Sequence, residues 1–371
     1  MRLAIVRKRF NPFGGAERFI TTAAGALIAR GVEVTVVTEA WEGGEVAGLG
    51  RLMLPKSRGM LRHRRLARFQ RAAEAAVGAG GFDLVQAHER MLGADLFRAG
   101  DGVHTAWVER LAAERGTIGA GLLRLDPMHR LIIATERAMA ADEGLTFVAN
   151  SRLVAREIAD LLGVPGRRIR VIENGVDLAR FRPASAEERA AARAALGLEG
   201  EAPVVAFVGS GFERKGAFQL VEALAQSAAR EFRAVIAGHD RRLPQLRARV
   251  AKLGLERRVI VTGGIGDVRP VLAAADLLAL PTLYDPMPNA ALEAIACGLP
   301  VATCVGAGVA EAIEASGAGV VTSRAPEDIA AGLARIARDR AGMGAAATAL
   351  RTRFDLDTAT RAWQSLYEEL V

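Results

Sequence analysis

Val204-Val205-Ala206-Phe207-Val208-Gly209-Ser210-Gly211-Phe212-Glu213-Arg214-Lys215-Gly216 opens with five apolar, mostly β-branched residues, breaks at glycine, and runs into a polar stretch that starts a helix. This is the pattern of a βα unit, because a parallel strand covered on both faces reads as an unbroken apolar run. Outward from it the pattern repeats. Strands are predicted at 234–237, 259–262, 277–280, 301–303 and 320–321, alternating with helical stretches near 217–229, 243–253, 268–274 and 289–297. The first half repeats the alternation, with strands at 2–6, 33–38, 84–87 and 145–149 and a helix at 17–30 ending at Gly31. Two α/β halves follow, each a doubly wound parallel sheet. The break is expected between Asn174-Gly175-Val176-Asp177 and Pro183, where Gly and Pro interrupt the pattern.

A chain of 371 residues, 51% hydrophobic and 25% charged, is long enough for two cores and excludes a disordered or fibrous protein. No apolar run approaches the roughly 20 residues that span a bilayer. The opening apolar run is cut short by Arg7-Lys8-Arg9, too early for a signal peptide, so a cytoplasmic protein is expected. Cys297 and Cys304 stand without a CxxC or Cys/His cluster, which argues against a disulfide framework or a structural zinc. Charge is uneven. Residues 1–182 hold 28 Arg or Lys against 20 Asp or Glu, whereas 183–371 hold 21 against 22. The excess is densest where Arg51, Lys56, Arg58, Arg62, Arg64, Arg65, Arg68 and Arg71 follow one another with no acidic residue between them. Such a block suits phosphate, on a nucleic acid, a lipid headgroup or a saccharide, or is simply a solvated basic face.

In open parallel sheets ligands bind beyond the carboxyl ends of the strands, so those loops carry the candidate chemistry. In Asn11-Pro12-Phe13-Gly14-Gly15-Ala16-Glu17, Gly14 and Gly15 let the backbone approach an anion at a helix start, and the absence of GxGxxG counts against a nicotinamide or flavin cofactor. In the 209–216 loop neither the dinucleotide nor the P-loop template fits. The adjacent Arg214 and Lys215 remain, a fork and a point charge suited to a diphosphate. In Tyr284-Asp285-Pro286-Met287-Pro288-Asn289-Ala290-Ala291-Leu292-Glu293, the loop carries Asp285 and the helix from about Asn289 puts Glu293 one turn inside, facing back toward the loop. A carboxylate in so apolar a helix needs polar partners such as sugar hydroxyls.

These residues resemble the retaining glycosyltransferases of family 4, whose signature is two acidic residues separated by seven, in a context close to E-x-F-G-x-x-x-L-E-A-x-A-x-G-x-P-V. Asp285 and Glu293 take the acidic places, and Leu292, Ala294, Gly298, Pro300 and Val301 match. Asn150-Ser151 and the run from Val171 to Asp177 resemble the segment entering the linker. Asp285 is one methylene shorter than the usual glutamate, and Pro288 stands where a glycine N–H often faces phosphate. The resemblance implies the GT-B fold, two Rossmann-like doubly wound domains facing across a cleft. It implies an acceptor-binding domain at 1–180, with a helix at about 356–371 packing back on it, and a nucleotide-sugar-binding domain at 181–355. It assigns Asp285 to the donor sugar, Glu293 to the ribose, and Gly14, Gly15, Arg214, Lys215, Asn289 and Ala290 to the donor. It needs neither metal nor cofactor beyond the donor, expected to be UDP-linked. In Arg98-Ala99-Gly100-Asp101-Gly102-Val103-His104, it makes Asp101 and His104 candidates to hold the donor hexose and the reacting centre, with His88 as the rival histidine.

Phe13-Gly14-Gly15-Ala16-Glu17-Arg18 and Trp41-Glu42-Gly43 resemble more narrowly the bacterial glucosyltransferases that add a hexose to lipopolysaccharide inner-core heptose. That implies a phosphorylated saccharide or glycolipid acceptor and a peripheral place on the inner face of the inner membrane. The mixture of Trp107, Leu111, Leu122, Leu123, Leu125, Leu131, Ile132 and Ile133 with Arg110, Arg115, Arg124, Arg130 and Arg137 suits an anionic membrane surface, or equally a core helix with a solvated rim. No second carboxylate is placed for double displacement, so front-face attack is the more economical mechanism. A nucleotide-sugar epimerase shares the fold and is the alternative activity. A nucleic-acid-binding protein would explain only the basic half, since aromatic residues are 5% and no recognition motif is present.

Overall fold

The computed structural model describes residues 1–10, 24, 25, 27–198 and 200–370. The chain forms two compact units, Met1–Asn174 together with Asp357–Val371, and Gly175–Leu356. The first unit contains β1 (Arg2–Val6), β2 (Arg9–Phe10), β3 (Glu33–Thr38), β4 (Ala40–Trp41), β5 (Leu49–Met53), β6 (Leu84–Ala87), β7 (Leu96–Ala99), β8 (Thr146–Ala149) and β9 (Ile169–Val171). Seven of these make one sheet in the order β5-β3-β1-β6-β7-β8-β9, while β2 and β4 pair separately. Every pairing is parallel, with Arg2 opposite Glu33 and Leu3 opposite Leu84.

The second unit contains β10 (Val204–Val208), β11 (Arg233–Ala237), β12 (Val259–Gly263), β13 (Leu277–Leu280), β14 (Val301–Cys304) and β15 (Gly319–Thr322), ordered β12-β11-β10-β13-β14-β15 and again parallel. All five residues of β10 are buried, which is why its sequence does not alternate. The expected 217–229 helix ends at Leu224, and Ser227–Ala229 forms a separate short turn of 3₁₀ helix. Most of the helix expected at 17–30 lies outside the described residues.

Besides the two-residue strands β2 and β4, three strands of the seven-stranded sheet carry too little apolar signal to be read beforehand. β5 and β9 lie at the sheet edges, where Gly50, Arg51 and Arg170 interrupt any apolar run. β7 is wholly buried yet holds Arg98, whose Nη2 donates to Asn174 Oδ1 at 2.8 Å. The closing helix, Leu356–Leu370, sets Trp363, Leu366 and Tyr367 into the first unit's core with Leu3, Ile5 and Leu84. There the Tyr367 hydroxyl donates to Gln86 Oε1 on β6.

Each sheet has one place where neighbouring strands lead off in opposite directions. It falls between β1 and β6 in the first unit and between β10 and β13 in the second. A crevice at the carboxyl ends of such a strand pair is the usual ligand position in this architecture.

Candidate active site

At the second unit's switch point the loop after β10 meets the loop after β13. Lys215 Nζ stands 3.0 Å from Asp285 Oδ2 and Arg214 Nη1 3.4 Å from the same oxygen. Arg214 Nη1 also donates to the Tyr284 carbonyl at 2.7 Å. Asp285 is 7% exposed, so its charge is set against these two cations rather than water. The backbone locks the loops together. The Leu283 N–H donates to the Arg214 carbonyl at 2.8 Å and the Thr282 hydroxyl to the same oxygen at 3.1 Å.

Two glycines make this approach possible. Gly216 has φ +83°, and a Cβ there would lie 2.2 Å from the Pro281 carbonyl oxygen. A Cβ on Gly306, in the loop after β14, would lie 2.1 Å from the Leu283 carbonyl oxygen. Its own carbonyl accepts from the Asp285 N–H at 2.9 Å, which fixes the backbone of the carboxylate.

Helix Asn289–Ala296 starts directly beyond, with Pro288 as its extended N-cap residue. Within it only Asn289 and Glu293 are not buried, one turn apart on one face, while Ala290 packs inward. Glu293 is therefore half-buried one turn inside the helix, and Asp285 is drawn to the cations. Burial and the nearby Glu293 carboxylate push the Cys297 thiol up to about 12, so it is no nucleophile at neutral pH.

Asp240, after β11, is a positioning residue that the sequence did not mark. Its Oδ2 accepts from the N–H groups of Gly211 at 2.8 Å and Phe212 at 2.9 Å, and its Oδ1 from Arg242 at 2.7 Å. Burial would raise this carboxyl, but those N–H groups outweigh it and hold it below the usual range. It clamps the start of the loop that carries Arg214 and Lys215. Its signal was a lone acidic residue closing Gly238-His239-Asp240 at a strand end.

In the first unit, Gly14 and Gly15 lie outside the described residues. Asp101 is exposed in the turn after β7. His104 does not lie in an open glycine loop but is the first residue of helix His104–Leu125, and its ring Nε2 is 2.9 Å from Nδ1 of His129 on helix Pro127–Ala141. A residue just after Gly102 and Val103 starts a helix because Val103 is already extended as the N-cap. The buried Glu136 carboxylate accepts from the His104 N–H at 2.7 Å and from Arg90 Nε at 2.6 Å. Burial first, then Arg90 and His129, lower the His104 ring to about 3, so it works as a neutral imidazole. His88 is buried just after β6, with Nε2 2.7 Å from Gln86 Nε2 and Nδ1 without a partner among the described residues; burial, Arg98 and Arg7 keep it neutral.

All eight residues of the basic block between 51 and 71 are exposed, and among the described residues none has a carboxylate partner. Of the 107–137 stretch, Leu122, Leu125, Arg115, Arg124, Arg130 and Arg137 are exposed together with Ile118, whereas Leu123 is buried. No helix among the described residues is long and apolar enough to cross a membrane. Among them no group of three or more His, Cys, Asp or Glu is placed to hold a metal ion.

Known proteins match nearly the whole chain in sequence and fold. A family model described as Glycosyltransferase Family 4 matches residues 13–180, and one described as Glycosyl transferases group 1 matches 202–339. The chain is 29% identical over 328 residues to the lipopolysaccharide glucosyltransferase WaaG of Escherichia coli (strain K12), covering 86% of this chain and 85% of that one. It is 32% identical over 324 residues to a D-inositol 3-phosphate glycosyltransferase of Salinispora arenicola (strain CNS-205), covering 81% of this chain and 71% of that protein. The crystal structure of WaaG, a glycosyltransferase involved in lipopolysaccharide biosynthesis, superposes with a TM-score of 0.85 at 25% identity, over 98% of this chain and 99% of that one. With two doubly wound units and relatives matched over most of their own length, the chain belongs to glycosyltransferase family 4 and is a glycosyltransferase of GT-B fold.

Proposed function

We propose that the protein moves a hexose, with retention of configuration, from a UDP-linked sugar to a phosphorylated saccharide acceptor, and that lipopolysaccharide inner-core heptose is that acceptor. The observation that carries the donor half is the Arg214–Lys215–Asp285 cluster beside the start of helix Asn289–Ala296. A diphosphate settling there takes over the two cations that Asp285 now engages. Arg214, Lys215 and the positive helix end, with Asn289 and Ala290 in its first turn, then meet the charge that builds as the anomeric C–O bond breaks. In the front-face route the leaving diphosphate takes the acceptor's proton, so no protein base is required. Asp285 is left to face the donor sugar and Glu293 the ribose hydroxyls. Charge compensation by protein cations replaces a bound metal in this reading, so a chelator should not lower turnover.

The first unit takes the acceptor, and Asp101, the neutral His104, Gly14 and Gly15 are its residues assigned to the transfer in this reading. Its exposed basic block and the Ile118, Leu122 and Leu125 side chains hold it against an anionic membrane surface, on the cytoplasmic face where such an acceptor is built. A second acceptor reading, inositol phosphate, is supported by the 32% identity to a D-inositol 3-phosphate glycosyltransferase. Titration with a panel of nucleoside diphosphate sugars, followed by assay of nucleotide release with each acceptor, tests the proposal. Tight binding of UDP-hexose and release only with a phosphorylated saccharide supports it. Binding of no nucleotide sugar, or conversion of the donor without an acceptor, would overturn it.

A further inference from the structure

One arginine outside the donor cluster joins the two loops that form it. Arg324 follows β15 at the edge of the second sheet, and β14 lies between that strand and β13. Its side chain reaches back across the end of β14. Nε donates to the Pro281 carbonyl at 3.0 Å, just beyond β13, and Nη2 donates to the Glu213 carbonyl at 3.1 Å, in the loop after β10. The segment that carries Arg324 is itself fixed. The Ser323 hydroxyl donates to Asp328 Oδ2 at 2.5 Å and accepts from the Ala325 N–H at 3.1 Å, while the Ser323 carbonyl accepts from Cys304 Sγ at 3.4 Å. Helix Pro326–Arg338 starts directly beyond Ala325.

Both acceptors sit beside the charged groups of the donor cluster. Glu213 immediately precedes Arg214, and Pro281 stands four positions before Asp285. The Pro281 oxygen is also the atom against which Gly216 packs. The two loops touch directly where the Arg214 carbonyl accepts from Leu283 and Thr282, but Arg324 ties them from a third loop and through two nitrogens of one planar group. The separation of the two carbonyls is therefore set by the guanidinium itself, which the single flexible nitrogen of a lysine could not do. Arg324 is half-buried, and burial lowers its pKa. A cation drawn part-way out of water needs charge-assisted hydrogen bonds in return, and the two carbonyls supply them.

We propose that Arg324 is a positioning residue for the transfer: its fork fixes the spacing between the loop that carries Arg214 and Lys215 and the loop that carries Asp285, and so sets where the donor's diphosphate is held. The proposal rests on the donor half of the reading above and adds the residue that keeps those cations in register.

The experiment compares the parent with Arg324→Ala and Arg324→Lys, each checked for folding by thermal unfolding, and uses two readouts. The first is amide hydrogen exchange without nucleotide. In both variants the N–H groups of Lys215, Gly216 and Leu283, which close the two loops, exchange about tenfold faster, while those of β10, β11 and β13 keep the parent's rates. The second is calorimetric titration with UDP and with UMP. Arg324→Ala weakens UDP about tenfold, the loss usual for a charge-assisted contact, and leaves UMP close to the parent, so the preference for the diphosphate shrinks. Arg324→Lys does not restore that preference. Loop exchange equal to the parent's, UDP and UMP weakened by the same factor, or full recovery of the preference in Arg324→Lys overturns the proposal; the last would show that charge alone is required and the fork is not. If the parent binds neither nucleotide, the donor reading is at fault, and hydrogen exchange still decides whether Arg324 clamps the loops. If Arg324→Ala does not fold, Arg324→Lys carries both readouts.

Discussion

Lys215 performs two tasks at one oxygen, and that changes what its removal should do. In isolation a diphosphate-binding lysine could be deleted without harm to the fold. Here its ammonium compensates a carboxylate only 7% exposed, and Arg214 Nη1 is 0.4 Å farther away than Lys215 Nζ. Lys215→Ala should therefore reduce UDP affinity and turnover, with a loss of about 2–4 kcal/mol of transition-state stabilisation, and also lower the melting temperature. Adding Asp285→Asn should recover much of the stability and none of the activity, since it removes the uncompensated charge. Thermal unfolding and UDP titration of the two variants read both effects. A Lys215→Ala protein that melts like the parent would show that water, not Lys215, balances Asp285.

Elements are held together in the first unit by polar contacts with a definite pH dependence. His104 joins helix His104–Leu125 to helix Pro127–Ala141 through His129, with Arg90, Glu136 and Asp126 around the ring. Its folded-state pKa, about 3, lies below the ordinary 6.5, so the unfolded chain takes up the proton first. Stability from this ring is whole above about pH 6.5 and is lost as the pH falls from there toward 3. Urea midpoints of the parent should drop between pH 7 and pH 5, and His104→Gln should drop less; an identical fall in both would move the effect to other groups, His88 first. The closing helix makes a second prediction at this scale. Trp363 is 1% exposed in the first unit's core, so Trp363→Ala should cost roughly 3–5 kcal/mol. Denaturation followed by hydrogen exchange should show the loss in β1 and β6 while β10 and β13 keep their protection.

At the scale of the whole molecule the charge asymmetry of the sequence becomes a surface property. The eight basic residues between 51 and 71 all face solvent, and each contributes about 1 kcal/mol beside an anionic surface, screened over roughly 10 Å. Co-sedimentation with phosphatidylglycerol vesicles should be strong at low salt and lost at high salt, with little binding to neutral vesicles. Reversal of Arg62 and Arg65 to Glu should weaken it by more than tenfold, and Leu122→Ser with Leu125→Ser should weaken whatever binding salt does not remove. Equal binding to neutral and anionic vesicles would leave the basic block as a solvated face.

The sequence by itself determined the α/β class, the two sheets and the second unit's strands, because buried parallel strands must be apolar on both faces and therefore announce themselves. It also marked Arg214, Lys215, Asp285 and Glu293, whose types and spacing have few structural reasons to coincide. Only the tertiary structure decided what meets what. Lys215 and Asp285 are 70 positions apart and touch because strand order brings β10 beside β13. Lys8 and Lys56 share a pocket because β3 lies between β1 and β5, which brings the segments after those strands together. His104 is packed against His129, not presented by a loop, because Val103 already serves as the extended N-cap and His104 opens the helix. Edge strands such as β5 stayed hidden for the converse reason: a strand wetted on one side needs no apolar run to be stable.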